Sequence, residues 1–155
     1  MKNQMTIAVD AMGGDGSPSK IIEGISLHSK KSTDIFYKIF GNKELIDKEL
    51  KKFQINNDYE VIHTLNQIED SDSPLSAAKR GKDTSMWMSI ESVKKKEADI
   101  VISAGNTGAL FVIAKLNFDM IPNIDKPALS GLWPNKNGMN IVLDLGATLN
   151  VVKRI

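Results

Sequence analysis

The sequence contains no cysteine, which excludes disulfides, a thiol nucleophile and thiolate metal sites together and fits a reducing compartment. No run approaches the ~20 consecutive apolar residues of a membrane span. The opening "MKNQMTIAVDAMGG" is too short in apolar residues for the core of a signal peptide. The expected location is therefore the cytoplasm. Excess charge is lacking too. Twenty Lys and Arg against 19 Asp and Glu leave a formal net charge of +1, so nothing global draws the chain to nucleic acid or an anionic surface. There is no Walker A loop and no complete G-x-G-x-x-G, so nucleotide-binding fingerprints are absent. Without a G-x-S-x-G elbow or an H-E-x-x-H pair, serine-hydrolase and zinc-peptidase readings have no support. Internal repeats and low-complexity segments are missing as well.

What remains is the composition of an ordinary globular protein, 41% apolar and 25% charged over 155 residues. A domain of this size buries roughly 70% of the surface its unfolded chain exposes. The expectation is one α/β domain over residues 1–155. Short β-branched or aromatic runs read as strands at 6–9, 34–40, 59–64, 99–103 and 140–145. Between them lie stretches of helical spacing: Ile21, Ile22, Ile25 and Leu27, then Leu45, Ile46, Leu50 and Phe53, then Met86, Ile90 and Val93. Ser73 before Pro74 is a cap followed by proline at the first helical position, and Gly81 interrupts the helix that follows. "TGALFVIAKLNF" is apolar almost all round, as a helix packed deep against a sheet would be. Residues 119–138 read as loop. Strand and helix alternate, which predicts a parallel sheet covered on both faces.

In such sheets ligands bind beyond the carboxyl ends of the strands. Three polar, glycine-rich segments fall there: "DAMGGDGSP" (10–18), "SAGNTGA" (103–109) and "DLGAT" (144–148). In the second, Gly105 and Gly108 permit close backbone approach, and Ser103, Asn106 and Thr107 supply hydroxyl and amide groups beside a helix start. Open N–H groups and the helix dipole there suit an anion; the plainer reading is a capped helix. In the first, Asp10 and Asp15 flank Gly13 and Gly14, and the carboxylates either ligate magnesium or orient a substrate, or cap the backbone of a turn. Arg80 and Lys82, with Lys79, suit a phosphate or an acidic partner; the plainer reading is a solvated face. Lys94, Lys95 and Lys96 read as the solvated end of a helix. His28 reads as a surface residue and His63 as a packed or capping one.

Taken in order, "DAMGGD", "VIH", Pro74 with "KRGKDTSM", "EADIVISAGNTGAL", "DKPAL" and "VLDLGA" resemble the acyl-carrier-protein-dependent phosphate acyltransferases of bacterial phospholipid synthesis. The resemblance covers residues 7–147. Gly81 stands where that family usually has lysine, Thr84 and Ser85 where it has a serine pair, and Thr148 where it has asparagine. Family members continue with a second half, which the tail "TLNVVKRI" does not resemble; a truncated or frame-shifted product is therefore expected.

The resemblance implies a three-layer α/β/α fold with a mostly parallel sheet, similar to the isocitrate dehydrogenase architecture. It implies transfer of a fatty acyl group from acyl carrier protein to inorganic phosphate, with no metal and no cofactor. The acyl phosphate formed would feed a membrane glycerol-phosphate acyltransferase, which would bring a cytoplasmic homodimer to the membrane periphery. On this reading Asn106 and Thr107 are catalytic, and Asp10, Gly13, Gly14, Asp15, Arg80, Lys82, Ser103, Gly105 and Gly108 bind substrate. Two alternatives stand beside it: a short-chain phosphate acetyl- or butyryltransferase using coenzyme A, and an inactive remnant that binds a ligand or partner.

Overall fold

A computed structural model describes residues 4–124, 127–143 and 145. The chain divides into two compact units, Met1–Asn117 and Phe118–Ile155. In the first, β1 (Met5–Asp10), β2 (Ile35–Gly41), β3 (Tyr59–His63) and β4 (Ile100–Ser103) form one sheet in the order β3-β2-β1-β4. All three pairings are parallel. Helices α1 (Ser19–Ser29) and α2 (Lys43–Leu50) follow β1 and β2; α3 (Pro74–Lys79) and α4 (Ser85–Lys94) lie between β3 and β4, and α5 (Thr107–Asn117) follows β4.

The three layers follow from the pleat. In β1, Ile7 and Val9 face one way and join Ile22, Ile25, Tyr37, Ile39 and Ile46 in a core under α1 and α2. Ala8 faces the other way and packs with Phe40, Ala98, Met88 and Val93 under α4. A third cluster, Met86, Trp87 and Ile90 with Ala77, Ala109 and Ile113, joins α3, α4 and α5. This is the expected three-layer α/β/α arrangement with a parallel sheet.

Helices α2, α3 and α4 each start on a capping side chain, whereas α1 follows Pro18 without one. The Asn42 side chain accepts from the Glu44 and Leu45 N–H groups, Ser73 from Ser76 with Pro74 next to it, and Thr84 from Trp87. Gly81, at φ +121, ends the α3 turn as expected. Buried α4 carries three serines; Ser89 and Ser92 each donate back to the carbonyl three residues earlier, at 2.8 and 2.7 Å, which lets a hydroxyl face the core.

The structure differs from the sequence expectation in three places. Leu27 and Leu45 are exposed rather than on the packed faces of α1 and α2, because each helix meets the sheet through a stripe narrower than its apolar content. Helix α5 buries only Ala109, Ile113 and Asn117 of its described residues, and Leu116 is exposed. In the second unit, the segment expected to be loop contains β5 (Ser130–Asn135), which pairs antiparallel with β6 (Gly138–Leu143) as a two-stranded ribbon. The strand expected at 140–145 is thus one arm of a hairpin. The hairpin turns at Gly138, φ +141, after the Asn135 side chain accepts from the Asn137 N–H at 2.7 Å. Asp144, Thr148 and the 149–155 tail lie outside the described residues, as do Asp125 and Lys126.

Candidate functional site

Parallel register places Asp10 at the end of β1 beside Ser103 at the end of β4. The loops leaving these strands meet at once. Asp10 is 1% exposed, and its carboxylate takes one hydrogen bond from the Ser103 hydroxyl at 2.8 Å and one from the Met12 N–H at 3.2 Å. The Ser103 oxygen in turn accepts from the Gly105 N–H at 3.2 Å. A relay of three groups therefore joins the two loops, and it supplies the hydrogen bonds that a buried carboxylate requires.

The glycines serve the same junction. A Cβ on Gly13 would lie 2.8 Å from Gly105 N and 2.7 Å from the Asp10 carboxylate, and one on Gly14, at φ +87, would lie 2.5 Å from the Ala104 carbonyl oxygen. Gly108 has a Cβ position 2.6 Å from the Pro74 ring, so α3 rests directly on the first turn of α5. Each of these close approaches is between parts of the chain.

The start of α5 carries the open donors. The Asn106 side-chain oxygen caps the helix by accepting from the Ala109 N–H at 3.0 Å, and the Asn106 carbonyl accepts from Leu110. Among the described residues, the N–H groups of Asn106, Thr107 and Gly108 meet no acceptor. Three donors at the positive end of an 11-residue helix are what an anion needs. Thr107 is exposed and leaves its hydroxyl available. Two expected donors are already engaged: the Gly105 N–H by Ser103, and the Asn106 amide hydrogens by the carbonyls of Asp70 and Asp72, at 3.0 and 2.9 Å.

The remaining expected residues are placed as follows. Asp15 is exposed and lines a cleft of about 220 Å³ between residues 12–17 and 67–70. Arg80 turns to its own segment, meeting Asp72 at 2.5 Å and the Gln67 carbonyl at 3.3 Å. Lys82 is exposed and forms no ion pair among the described residues. His63 caps, accepting from the Lys43 N–H at 3.1 Å, and exposed His28 meets the Tyr37 hydroxyl at 2.6 Å. Sequence reasoning missed Asp72, whose carboxylate and carbonyl both hold the loop before α3 in place. In "EDSDSP" only Ser73 gives a capping signal; the Asp72 carboxylate works within its own segment, on the Glu69 N–H and Arg80, while the contact of its carbonyl with Asn106 spans 34 residues and has no local signature.

The model of the fatty acid synthesis protein family matches residues 5–154. The chain belongs to that family. It is 60% identical over 149 residues to a protein of Pelagibacter ubique named phosphate acyltransferase, a match covering 96% of this chain and 44% of the relative. Proteins of the same name from Bradyrhizobium diazoefficiens and Rhodopseudomonas palustris are 40% and 44% identical over 151 residues, each matched over 43% of its own length. The chain thus spans less than half the length of these relatives. No helix among its described residues is long and apolar enough to cross a membrane.

Proposed function

We propose that this chain carries the phosphate-handling part of a phosphate acyltransferase of phospholipid synthesis. The observation that carries this reading is the set of three unpartnered N–H groups on Asn106, Thr107 and Gly108, beside the Asp10–Ser103 junction at the carboxyl edge of a parallel sheet. The relatives' name supplies the reaction class. The acyl donor is an acyl thioester of acyl carrier protein, and the consumer of the acyl phosphate is a membrane glycerol-phosphate acyltransferase. A cytoplasmic homodimer that reaches the membrane through that partner completes the reading.

The chemistry asks little of the protein beyond placement. A phosphate oxygen attacks the thioester carbonyl, the C–S bond breaks as the tetrahedral oxyanion collapses, and the thiolate leaves to take a proton from water. Phosphate near neutral pH is already an anionic nucleophile, so no strong base and no covalent enzyme intermediate is required. Holding phosphate in line with the carbonyl and offering fixed donors to the oxyanion are the two tasks. The open N–H groups and the Thr107 hydroxyl fit either task; Asp10, Ser103, Gly13, Gly14 and Gly105 keep the loop in shape. Lys82 and Asp15 would act on substrate only from the rim.

Titrating the 15N-labelled chain with inorganic phosphate tests the site. Shifts confined to the amides of residues 105–109 are expected, and their absence overturns the assignment. Trapping acyl phosphate with hydroxylamine then separates the donors: product from acyl carrier protein thioesters supports the reading, and product from acetyl- or butyryl-coenzyme A alone replaces it with the short-chain reaction. Phosphate binding without product from any donor would leave an anion-binding part that does not turn over.

A further inference from the structure

Residues 64–84 form a strap from the end of β3 to the start of α4, with α3 in its middle. Its two ends are clasped: the Thr64 hydroxyl donates to the Asp83 carbonyl, and the Asn66 amide to the Asp83 carboxylate, both at 2.5 Å. Its middle is organised by Asp72. One carboxylate oxygen takes Arg80 at 2.5 Å and the other takes the Glu69 N–H at 2.8 Å. The tie to the rest of the fold comes from Asn106, whose amide nitrogen donates to the carbonyls of Asp70 and Asp72 while its oxygen caps α5. Both hydrogens of that amide are used. A single side chain therefore holds the start of α5 and residues 70–72 in one geometry. Residues 67–70 are also the wall of the 220 Å³ cleft opposite loop 12–17.

We propose that Asn106 and Asp72 are positioning residues, a latch that fixes residues 67–72 as a wall beside the open N–H groups of α5. The inference rests on the phosphate reading of that helix start, and it assigns the Asn106 side chain to the geometry of the site instead of to the reacting atoms. The physical reason is preorganisation: donors and walls that are already fixed need no rearrangement when charge arrives. Ile68 is anchored in the core, but Glu69 and Asp70 are exposed, so with the latch open residues 69–72 open locally at small cost. The competent state would then be only partly populated, and apparent anion affinity would fall by that fraction.

Asn106→Ser separates the latch from the cap. Serine caps a helix about as well as asparagine, but one hydroxyl cannot donate to both carbonyls. Amide exchange and inorganic phosphate titration on the 155-residue chain read the two consequences. The Asp72 amide, bonded to the Glu69 carbonyl, should exchange roughly tenfold faster, α5 amides should keep their rates, and the phosphate Kd should rise about tenfold. Asp72→Ala, which leaves the α5 cap untouched, should reproduce the weaker binding. Wild-type chain that binds phosphate, with both variants binding it equally, overturns the positioning role alone. Absence of any phosphate shift in the wild type overturns the phosphate reading and the positioning role with it.

Discussion

Gly13 shows what a single hydrogen in place of a methyl group can decide. Its Cβ would sit under 3 Å from the Asp10 carboxylate and from backbone atoms of Gly105; the carboxylate is buried and held by Ser103 and the Met12 N–H, and the backbone cannot swing aside. Gly13→Ala should therefore destabilise the fold by about 1–3 kcal/mol through forced separation of the loops. A urea midpoint unchanged from wild type would show that the loops are not in contact. Tyr37 offers a second residue-scale test. Burial raises its pKa above the ordinary 10.0. A raised folded pKa means that the folded state holds the proton more tightly, so this contribution is complete below pH 10 and is lost as pH rises through the folded value. Tyr37→Phe should remove one tyrosinate transition above pH 10 from the ultraviolet titration and flatten that part of the stability profile. At this scale the sequence showed the right residue types at the junction, since Asp10, Gly13, Gly14, Ser103 and Gly105 all meet there. It did not show that the glycines serve loop-on-loop packing, because that follows from which strands are neighbours.

Elements were legible where their signals were local. The run TIAV and the Ser73–Pro74 pair carry period and cap within a few residues, and the structure has them. Residues 119–138 misled because three prolines and several turn residues outweigh a short apolar run, yet Pro134 sits in a two-stranded ribbon, where a missing N–H need not break a central ladder. The α3–α5 crossing was not legible at all, and Gly108 tests it. Alanine there gains up to ~1 kcal/mol of helix propensity. A Cβ 2.6 Å from the Pro74 ring instead costs about 1–3 kcal/mol, because the ring cannot swing away. Gly108→Ala should thus be net destabilising, with faster amide exchange in α3 and in α5. A gain in melting temperature would mean that the two helices do not touch as described.

At the scale of the molecule, apolar surface lies open on each unit. In the first, register partners share a face, so Ile100 and Ile102 of β4 extend the face on which Ile7 and Val9 are covered by α1. They are 45% and 51% exposed, and β4 is an edge of the sheet, with one side of its backbone unpaired among the described residues. Beside it a mainly apolar cavity of about 310 Å³ is lined by Ile7, Val9, Ile21, Ile25 and Ile102 with Tyr37. In the second unit, alternation along the ribbon puts Leu132, Pro134, Met139, Ile141 and Leu143 on one face, all exposed. An unpaired edge and a contiguous apolar face both drive association, and a net charge of +1 supplies almost no repulsion against it. The chain should therefore self-associate, with a weight-average mass that rises over a concentration series in light scattering or sedimentation. Ile102→Lys and Ile141→Lys place a charge on each surface without entering the core, so each should lower the association and the pair should lower it further. A mass that stays that of one chain at every concentration, in wild type and variants alike, would show that neither surface is sticky in solution.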